Sequence, residues 1–291
     1  MTGTPTPVSD ELRAGTACLA AAGIDSARHD ADWLMAHVLG VDAGRLVLMD
    51  AIDDAQARAF RSAVERRARR IPLQHIVGTA AFGPVELAVG PGVFIPRPET
   101  EYLLEWAVDR LRERPGSALA ADFCSGSGAL AIGVAAMSPG TRVVAVEADE
   151  DALVWLRRNV TDAATVIGSR VEVVAADVTD PEQIADSVPM GSVSVLVTNP
   201  PYVPLDAAVG PEVAHDPARA VFGGADGMSV IEPMVPVIAR TLAPGGVVGI
   251  EHDDTTADAV VACLHAHGDF EDVTRHADLT GRPRFVTARR R

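Results

Sequence analysis

The first seventy residues repeat apolar positions at helical spacing, as Trp33, Leu34 and Val38 illustrate. Glycines and a short acidic stretch divide this part of the chain into several segments, each long enough for a short helix. The pattern predicts a small helical domain over residues 1–73. Residues 1–8 lack the period and are predicted to be a frayed tail.

The pattern changes over residues 74–98, where glycines and prolines separate short apolar alternations. Alternation with a period of two residues predicts strands, and the glycines between them predict a turn. This segment is therefore predicted to be a β-hairpin linker between the helical domain and the remaining residues, 99–291.

Strands and helices alternate along the rest of the chain. Short apolar runs rich in Val and Ala predict seven strands, at residues 118–124, 142–149, 170–178, 193–199, 247–252, 271–277 and 284–289. The intervening segments predict helices at residues 128–137, 150–160, 228–246 and 256–267, of which the third contains two prolines and ends in Pro-Gly-Gly. Such alternation is typical of an α/β fold whose mainly parallel sheet is covered on both faces.

Composition agrees with a larger domain beside a small one. The chain has 291 residues, of which 48% are hydrophobic. No apolar run approaches the roughly 20 residues that a membrane helix needs, and the N-terminus does not resemble a secretion signal. Three widely spaced cysteines, Cys18, Cys124 and Cys263, favour the reduced cytoplasm over a disulfide framework or a zinc site.

The charge balance argues against loose binding to nucleic acid. A formal net charge of −15 disfavours contacts that depend on neutralising phosphates with Lys and Arg. One segment runs against this balance, because residues 58–70 are predicted to form a helix with six arginines. We interpret it either as a solvated helix face or as a docking face for an acidic partner.

A glycine-rich turn follows the first strand of the α/β region. Gly126 and Gly128 stand between that strand and the next helix, where they let the backbone approach a ligand closely. The second strand ends in Glu147, about twenty residues further on, where dinucleotide-type folds place an acid on ribose hydroxyls. Together these features predict an adenosine-containing cofactor at the carboxyl edge of the sheet.

The acidic residues around this turn favour S-adenosylmethionine over a dinucleotide. The glycine spacing does not separate the two, since Ala131 is permitted at the third position of the dinucleotide pattern. Asp122 is awkward beside a pyrophosphate but useful beside the ammonium group of an amino acid. Asp177, at the end of the third strand, is either a neighbour of the adenine ring or an ordinary turn or N-cap residue.

The fourth strand ends in Asn199-Pro200-Pro201-Tyr202, beside the predicted position of the reactive methyl group. An amide or exocyclic amine nitrogen is a poor nucleophile, and acceptors for its N–H groups orient it and stabilise developing positive charge. The Asn199 side-chain oxygen and the Pro200 carbonyl are suitable acceptors, and Tyr202 offers a face for stacking. No metal ion is required. Taken alone, the tetrapeptide could equally be a Pro-rich loop after a buried strand.

Five segments together resemble the protein-(glutamine-N5) methyltransferase family. They are "FIPRPETE" (94–101), "DFCSGSGA" (122–129), "TNPPYVP" (198–204), "FGGADGM" (222–228) and "DLTGRPRFV" (278–286). The resemblance spans nearly the whole chain and implies a Rossmann-like class I S-adenosylmethionine-dependent methyltransferase. The implied substrate is the glutamine in the Gly-Gly-Gln loop of a peptide-chain release factor, and the implied product is S-adenosylhomocysteine. The protein is expected to be monomeric.

The resemblance also implies roles for individual residues. The implied cofactor site is formed by Phe94, Arg97, Thr100, Asp122, Cys124, Ser125, Gly126, Ser127, Gly128, Glu147, Asp177, Val178 and Asn199. Asn199, Pro200, Pro201 and Tyr202 would hold the substrate amide, with Asn199, Pro200 and Tyr202 as the catalytic group. The N-terminal helices would contact the protein substrate, which gives the arginine-rich helix a partner. Cys124 is interpreted as a packing residue, because the motif places no base beside it.

Three departures from the family pattern bear on the substrate. The fifth strand is followed by Glu251 and His252 but by no glutamine, Glu147 replaces the commoner aspartate, and Val178 stands where some members have an aromatic residue. A paralogue acting on another glutamine therefore stays open. So do an amino-methyltransferase acting on a nucleobase and a non-catalytic S-adenosylmethionine-binding protein.

Overall fold

The computed structural model describes residues 6–114 and 118–291. The chain divides into two compact units. The smaller contains residues 1–79 and 210–215, and the larger contains residues 80–209 and 216–291. The first division therefore falls at residue 79, whereas the sequence predicts a boundary at residue 73.

The smaller unit is mainly helical. Its helices and paired strands are β1 (Thr6–Pro7), α1 (Val8–Ala21), α2 (Ala27–Leu39), β2 (Ala51–Ile52), α3 (Asp54–Ala68) and α4 (Leu73–Val77). The expectation of a frayed tail is wrong for residues 6–8, because β1 pairs with β2 and Val8 is buried. Residues 1–5 of that tail lie outside the described part of the chain. Leu19, Leu34, Met35 and Phe60 are at the centre of this unit's core.

Local sequence fixes where these helices begin and end. Asp53 accepts hydrogen bonds from the first turn of α3, and the Gln56 side chain accepts one from the Asp53 backbone N–H, which together form a capping box. Helix α2 ends at Gly40, which adopts the left-handed conformation that glycine tolerates best.

The arginine-rich segment is not a uniformly solvated face. Arg67 is 4% exposed and its guanidinium bonds Asp30 at 2.7 Å and Glu212 at 2.7 Å. Arg61 pairs with Glu11, and Arg70, just beyond the end of α3, donates to the backbone carbonyl of Gly23 at 2.8 Å. Half of the six arginines therefore satisfy groups inside their own unit, and for Arg67 both predicted alternatives are wrong.

The predicted hairpin occupies only part of residues 74–98. Strands β3 (Thr79–Phe82) and β4 (Val85–Ala88) form it, while the preceding residues belong to α4. The chain then runs without strand structure through residues 89–97 to a single 3₁₀ turn at Pro98–Thr100. Two prolines in this stretch, Pro91 and Pro96, cannot donate ladder hydrogen bonds, which explains why no further strand forms.

A seven-stranded sheet forms the centre of the larger unit. Its strands are β5 (Leu119–Phe123), β6 (Arg142–Glu147), β7 (Val171–Ala175), β8 (Val193–Thr198), β9 (Leu242–Glu251), β10 (Phe270–Ala277) and β11 (Pro283–Arg290). The order across the sheet is β10-β11-β9-β8-β5-β6-β7. Strands β5 to β9 are parallel, and β11 is antiparallel to both of its neighbours. The mainly parallel seven-stranded α/β fold is thus confirmed.

Helices cover the sheet. They are α5 (Glu101–Arg112), α6 (Ala129–Met137), α7 (Glu150–Asp162), α8 (Ala164–Ile167), α9 (Pro181–Ser187), α10 (Ala218–Val221), α11 (Ile231–Thr241) and α12 (Ala257–His267). Two buried apolar clusters, one with α5 to α7 and one with α11 and α12, pack against the strands. Helix α11 ends at Thr241, earlier than predicted, because the following Pro-Gly-Gly belongs to an irregular start of β9.

The strand order also fixes where a ligand can bind. From β5 the chain proceeds outward through β6 and β7, and then returns to the other side of β5 with β8. Such a reversal separates the loops at the carboxyl ends of the two central strands and leaves a crevice between them. Here those loops are the glycine-rich turn and the segment Asn199–Tyr202.

Candidate active site

A cavity of about 400 Å³ lies at this reversal. Its volume is in the range of small-molecule sites. Most of the predicted site residues line it: Phe94, Thr100, Asp122, Cys124, Ser125, Gly126, Ser127, Glu147, Asp177, Val178, Asn199 and Pro201. Four do not: Arg97, Gly128, Pro200 and Tyr202. All of these residues belong to the larger unit.

The glycine-rich turn is tightened by its own backbone. Gly126 and Gly128 have φ values of 54° and 88°, which glycine adopts without strain. A Cβ at position 128 would lie 2.7 Å from Cδ1 of Leu156. Gly128 therefore supports the site by close packing of α6 and α7 rather than by lining the cavity.

Asp122 presents an unpaired oxygen at the end of β5. Its Oδ2 accepts a hydrogen bond of 3.0 Å from the Ala131 N–H, while its buried Oδ1 has no partner among the described residues. Burial raises the pKa of Asp122 to about 7. A cationic donor would satisfy Oδ1 and favour the charged carboxylate. The ammonium group predicted from the sequence fits this atom.

Glu147 holds the turn as well as lining the cavity. Its carboxylate accepts from the Gly126 N–H at 2.8 Å and from the N–H groups of Ala148 and Asp149 at 2.9 and 2.8 Å. Burial raises its pKa despite these bonds. Each carboxylate has about four lone-pair sites, so capacity remains for a ribose hydroxyl.

Asp177 is a turn residue that also lines the cavity. Asp177 lines the cavity, and its Oδ1 also accepts from the N–H and hydroxyl of Thr179 at 2.8 and 2.7 Å, as a turn residue does. The N-cap of α9 is Asp180 instead. Val178 is buried and contributes an apolar wall.

Arg97 does not line the cavity but contacts Phe94, which does. The sequence assigns it to the cofactor, but its guanidinium pairs with the buried carboxylate of Asp216 and lies 5.0 Å from the ring centre of Phe94. Phe94 itself lines the cavity. Arg97 is therefore placed to fix the orientation of Phe94, and the Asp216 partner was missed because it lies 119 residues away.

The orientation of the Asn199 amide follows from its neighbour. Its Nδ2 donates to the Thr100 hydroxyl oxygen at 3.3 Å, and Thr100 is 3% exposed. A hydrogen bond from the Thr100 hydroxyl lowers the pKa of the Glu251 carboxyl, and in its ionised form that carboxylate can only accept. Oδ1 of Asn199 is thereby left as the group available to the cavity, as an amide-binding role requires.

Tyr202 occupies a different place from the one expected. Its ring packs against the apolar cluster on the α11 side of the sheet, and its hydroxyl donates to Oε1 of Glu251 at 3.0 Å. The structure therefore corrects the expectation that its ring forms a stacking face in the cavity. Pro200 is buried, whereas Pro201 lines the cavity.

Two supporting residues were not recognised in the sequence. Asn159 is 2% exposed, and its side chain bonds the backbone N–H and carbonyl of Ala88 and the carbonyl of Ser127. It thereby joins β4 to the glycine-rich turn. A polar residue on the buried face of α7 was the available signal. Glu251, noted only as a departure from the family pattern, is the other.

The remaining chemical predictions concern reactive side chains. Burial raises the pKa of the Cys124 thiol well above its usual value, so this cysteine is held protonated and suits a packing role. Among residues 6–114 and 118–291, no group of three His, Cys, Asp or Glu side chains is placed to hold a metal ion. Within the same residues no helix combines the length and apolarity needed to cross a membrane.

Comparison with known proteins extends over both units. A family model described as the PrmC N-terminal domain matches residues 10–78, and one described as the methyltransferase small domain matches residues 100–217. A release factor glutamine methyltransferase of Mycolicibacterium smegmatis is 53% identical over 280 residues, 96% of each chain. Those of Mycobacterium tuberculosis H37Rv and Streptomyces coelicolor are 47% and 43% identical, over 94% and 96% of this chain and 88% and 97% of theirs.

Proposed function

This chain belongs to the release factor glutamine methyltransferase family, and we propose that it methylates a release factor. In the reaction the S–CH3 bond of S-adenosylmethionine breaks and an N–CH3 bond forms to the side-chain amide nitrogen of the glutamine in the Gly-Gly-Gln loop, which releases S-adenosylhomocysteine and one amide proton. The observation that carries the proposal is the Asn199 amide, held by Thr100 in the lining of a cavity that is also lined by Asp122, whose buried Oδ1 has no partner in the described part of the chain.

The cavity residues would hold the methyl donor by its polar ends. When bound, S-adenosylmethionine supplies an electrophilic methyl group on a sulfonium. Oδ1 of Asp122 would accept from the ammonium group, and the Glu147 carboxylate would accept from the ribose hydroxyls. Asp177 and Val178 would flank the adenine, and Phe94 would cover it from the opposite wall. These assignments rest on which residues line the cavity and on the missing partner of Asp122 Oδ1.

The acceptor side would act by orientation and charge stabilisation. Oδ1 of Asn199 accepts one N–H of the substrate amide, and the Pro200 carbonyl, between two lining residues, accepts the other. Both N–H groups become more acidic as the nitrogen gains its methyl group. Fixed acceptors therefore stabilise the transition state more than the ground state, and typically contribute about 10² to 10³-fold in rate per well-placed dipole.

Two rivals predict different products. A nucleobase amino-methyltransferase would transfer label to nucleic acid, and a non-catalytic binding protein would transfer none. Labelling a cell extract with a radioactive methyl donor, followed by protease or nuclease treatment, separates the three. Label that is removed by nuclease alone would contradict the protein substrate.

The direct test is mass spectrometry of a purified release factor after incubation with enzyme and S-adenosylmethionine. We expect a gain of one methylene mass on the Gly-Gly-Gln peptide, and none on a release factor whose glutamine is replaced by alanine. The variant Asn199→Ala should lose at least about 100-fold in turnover while its affinity for the cofactor, measured by calorimetry, changes little. Full turnover by this variant would exclude the amide-binding mechanism.

The cellular setting follows from the same proposal. The enzyme would encounter a release factor in the cytoplasm, where its unpaired cysteines would also stay reduced. We propose that the enzyme acts there as a monomer, which analytical ultracentrifugation would test.

A further inference from the structure

Glu251 is a buried carboxylate that the proposed mechanism does not yet use. It is 2% exposed at the carboxyl end of β9, next to β8, the strand that Asn199 follows. None of the ion pairs among the described residues involves Glu251, and the nearby Arg284 pairs with Asp278 instead. A buried carboxylate with no paired cation costs stability, so its presence calls for a functional reason.

The hydrogen bonds of Glu251 lead directly to the acceptor side of the cavity. Its carboxylate receives the hydroxyl of Tyr202 at 3.0 Å and the hydroxyl of Thr100. Thr100 has one hydroxyl proton, which is committed to Glu251 when this carboxyl group is ionised. Its oxygen must accept from Asn199, and the observed partner is indeed Nδ2.

An amide without this constraint has two orientations of similar energy. If the Thr100 hydroxyl turned toward Asn199, it would donate to Oδ1, and the amide would present its N–H₂ group to the cavity. An N–H₂ group opposes the N–H groups of a substrate amide instead of accepting from them. The direction of one hydroxyl proton therefore decides whether the site can bind its substrate productively.

We propose that Glu251 is a positioning residue for methyl transfer: by accepting the hydroxyl protons of Thr100 and Tyr202, it keeps the Asn199 carbonyl oxygen facing the cavity. The proposal rests on the function proposed above and adds a residue to it. Glu251 touches neither cavity nor substrate, and acts through Thr100. Tyr202 is held by the same carboxylate, which accounts for its placement outside the cavity lining.

Kinetics of Glu251→Gln and Thr100→Val, measured above pH 7 where the Glu251 carboxyl is ionised, test the proposal. A carboxamide at position 251 offers one acceptor oxygen and a competing N–H₂ group, and a valine side chain at position 100 offers no hydroxyl. We expect kcat to fall roughly 30- to 100-fold in each, as for a misoriented reacting group, with cofactor affinity within about two-fold. Thr100→Ser, which keeps the hydroxyl, should exceed Thr100→Val in kcat at least about ten-fold. Glu271→Gln, an exposed carboxylate on β10, is the matched control and should behave as wild type.

The double variant Glu251→Gln/Thr100→Val shows whether the two residues act through the same hydrogen-bond chain or lower kcat independently. Residues that act in one chain are non-additive, so the double variant should be no slower than the slower single variant. Losses that multiply would overturn the proposal. So would a Glu251→Gln turnover within about three-fold of wild type, or a loss confined to cofactor affinity.

A second measurement needs neither turnover nor substrate. The chain has only two asparagines, Asn159 and Asn199, so labelling side-chain amides with [δ-¹⁵N]asparagine gives two signals. We expect the Asn199 signal to shift and to exchange faster with solvent in Glu251→Gln, while Asn159 stays unchanged as an internal reference. An unchanged Asn199 signal would refute the positioning role. If wild type methylated no release factor while the Asn199 signal responded, the substrate assignment would fail and the role of Glu251 would stand.

Discussion

Glu251→Gln should gain stability relative to wild type as the pH rises, although it slows the enzyme. Burial raises the pKa of Glu251 from 4.5 to about 7, against the lowering effect of hydrogen bonds from Thr100 and Tyr202. A carboxyl group whose pKa is higher in the folded state binds its proton more tightly there. Its contribution to stability is therefore fully present below pH 4.5 and is lost as the pH rises toward 7.

The expected change in the free energy of unfolding follows from the difference in the pKa of Glu251 between the folded and unfolded states. About 2.5 pKa units correspond to roughly 3 kcal/mol, at about 1.4 kcal/mol per unit. Part of this is already lost at about pH 5, where the unfolded chain begins to ionise. Between pH 5 and pH 8 the free energy of unfolding of Glu251→Gln, relative to wild type, should therefore rise by about 2–3 kcal/mol. Asp122 titrates in the same range but is present in both proteins, so its contribution cancels.

Urea unfolding, followed by tryptophan fluorescence, measures the free energy of unfolding of the larger structural unit, which contains Glu251. Trp33 belongs to the smaller unit, whereas Trp106 and Trp155 belong to the larger one. A Trp33→Phe background therefore restricts the signal to the unit that contains Glu251. A relative stability that stays flat from pH 5 to pH 8 would refute the reasoning, as would one that falls, since a fall is the behaviour of a favourably paired carboxylate.

Three further substitutions test the supporting structure. Gly128→Ala should cost about 1–3 kcal/mol and weaken cofactor binding, because φ is 88° and the new Cβ meets Leu156. Calorimetry against Gly268→Ala, whose Cβ meets open space at a similar left-handed φ of 85°, isolates the packing term. Asn159→Ala should cost about 3 kcal/mol by leaving three backbone groups unpaired, and hydrogen exchange should show the loss at the glycine-rich turn. Arg67→Met should destabilise the helical unit by about 3–5 kcal/mol, measured by thermal unfolding, and a second substitution of its buried partner carboxylate by an apolar residue should recover part of that loss.

Local sequence patterns were sufficient to predict the architecture of the larger unit. Short apolar runs, separated by helical segments, correctly predicted the seven strands and the mainly parallel sheet. Turn chemistry located the glycine-rich loop and the end of β8. Errors occurred where a local signal had two meanings, as at Pro-Gly-Gly, which breaks a helix but here also opens β9.

Long-range polar partners could not be predicted in the same way. Arg97 pairs with a residue 119 positions away, and Asn199 with one 99 positions away. A sequence shows which groups need partners but not which groups the fold brings to them. Arg97 and Tyr202 were consequently assigned to the ligand, although the structure pairs them with Asp216 and Glu251.

The sequence by itself determined the elements, their order and the motifs at the sheet's carboxyl edge, because periodicity and turn residues act over a few positions. The tertiary structure alone decided which way each polar group faces. Thr100, Asn199 and Glu251 lie on three separate segments, and only the pairing of β8 with β9 brings two of those segments side by side. The Thr100 hydroxyl proton then bonds the Glu251 carboxylate, and this sets the orientation of the Asn199 amide, which the motif alone does not reveal.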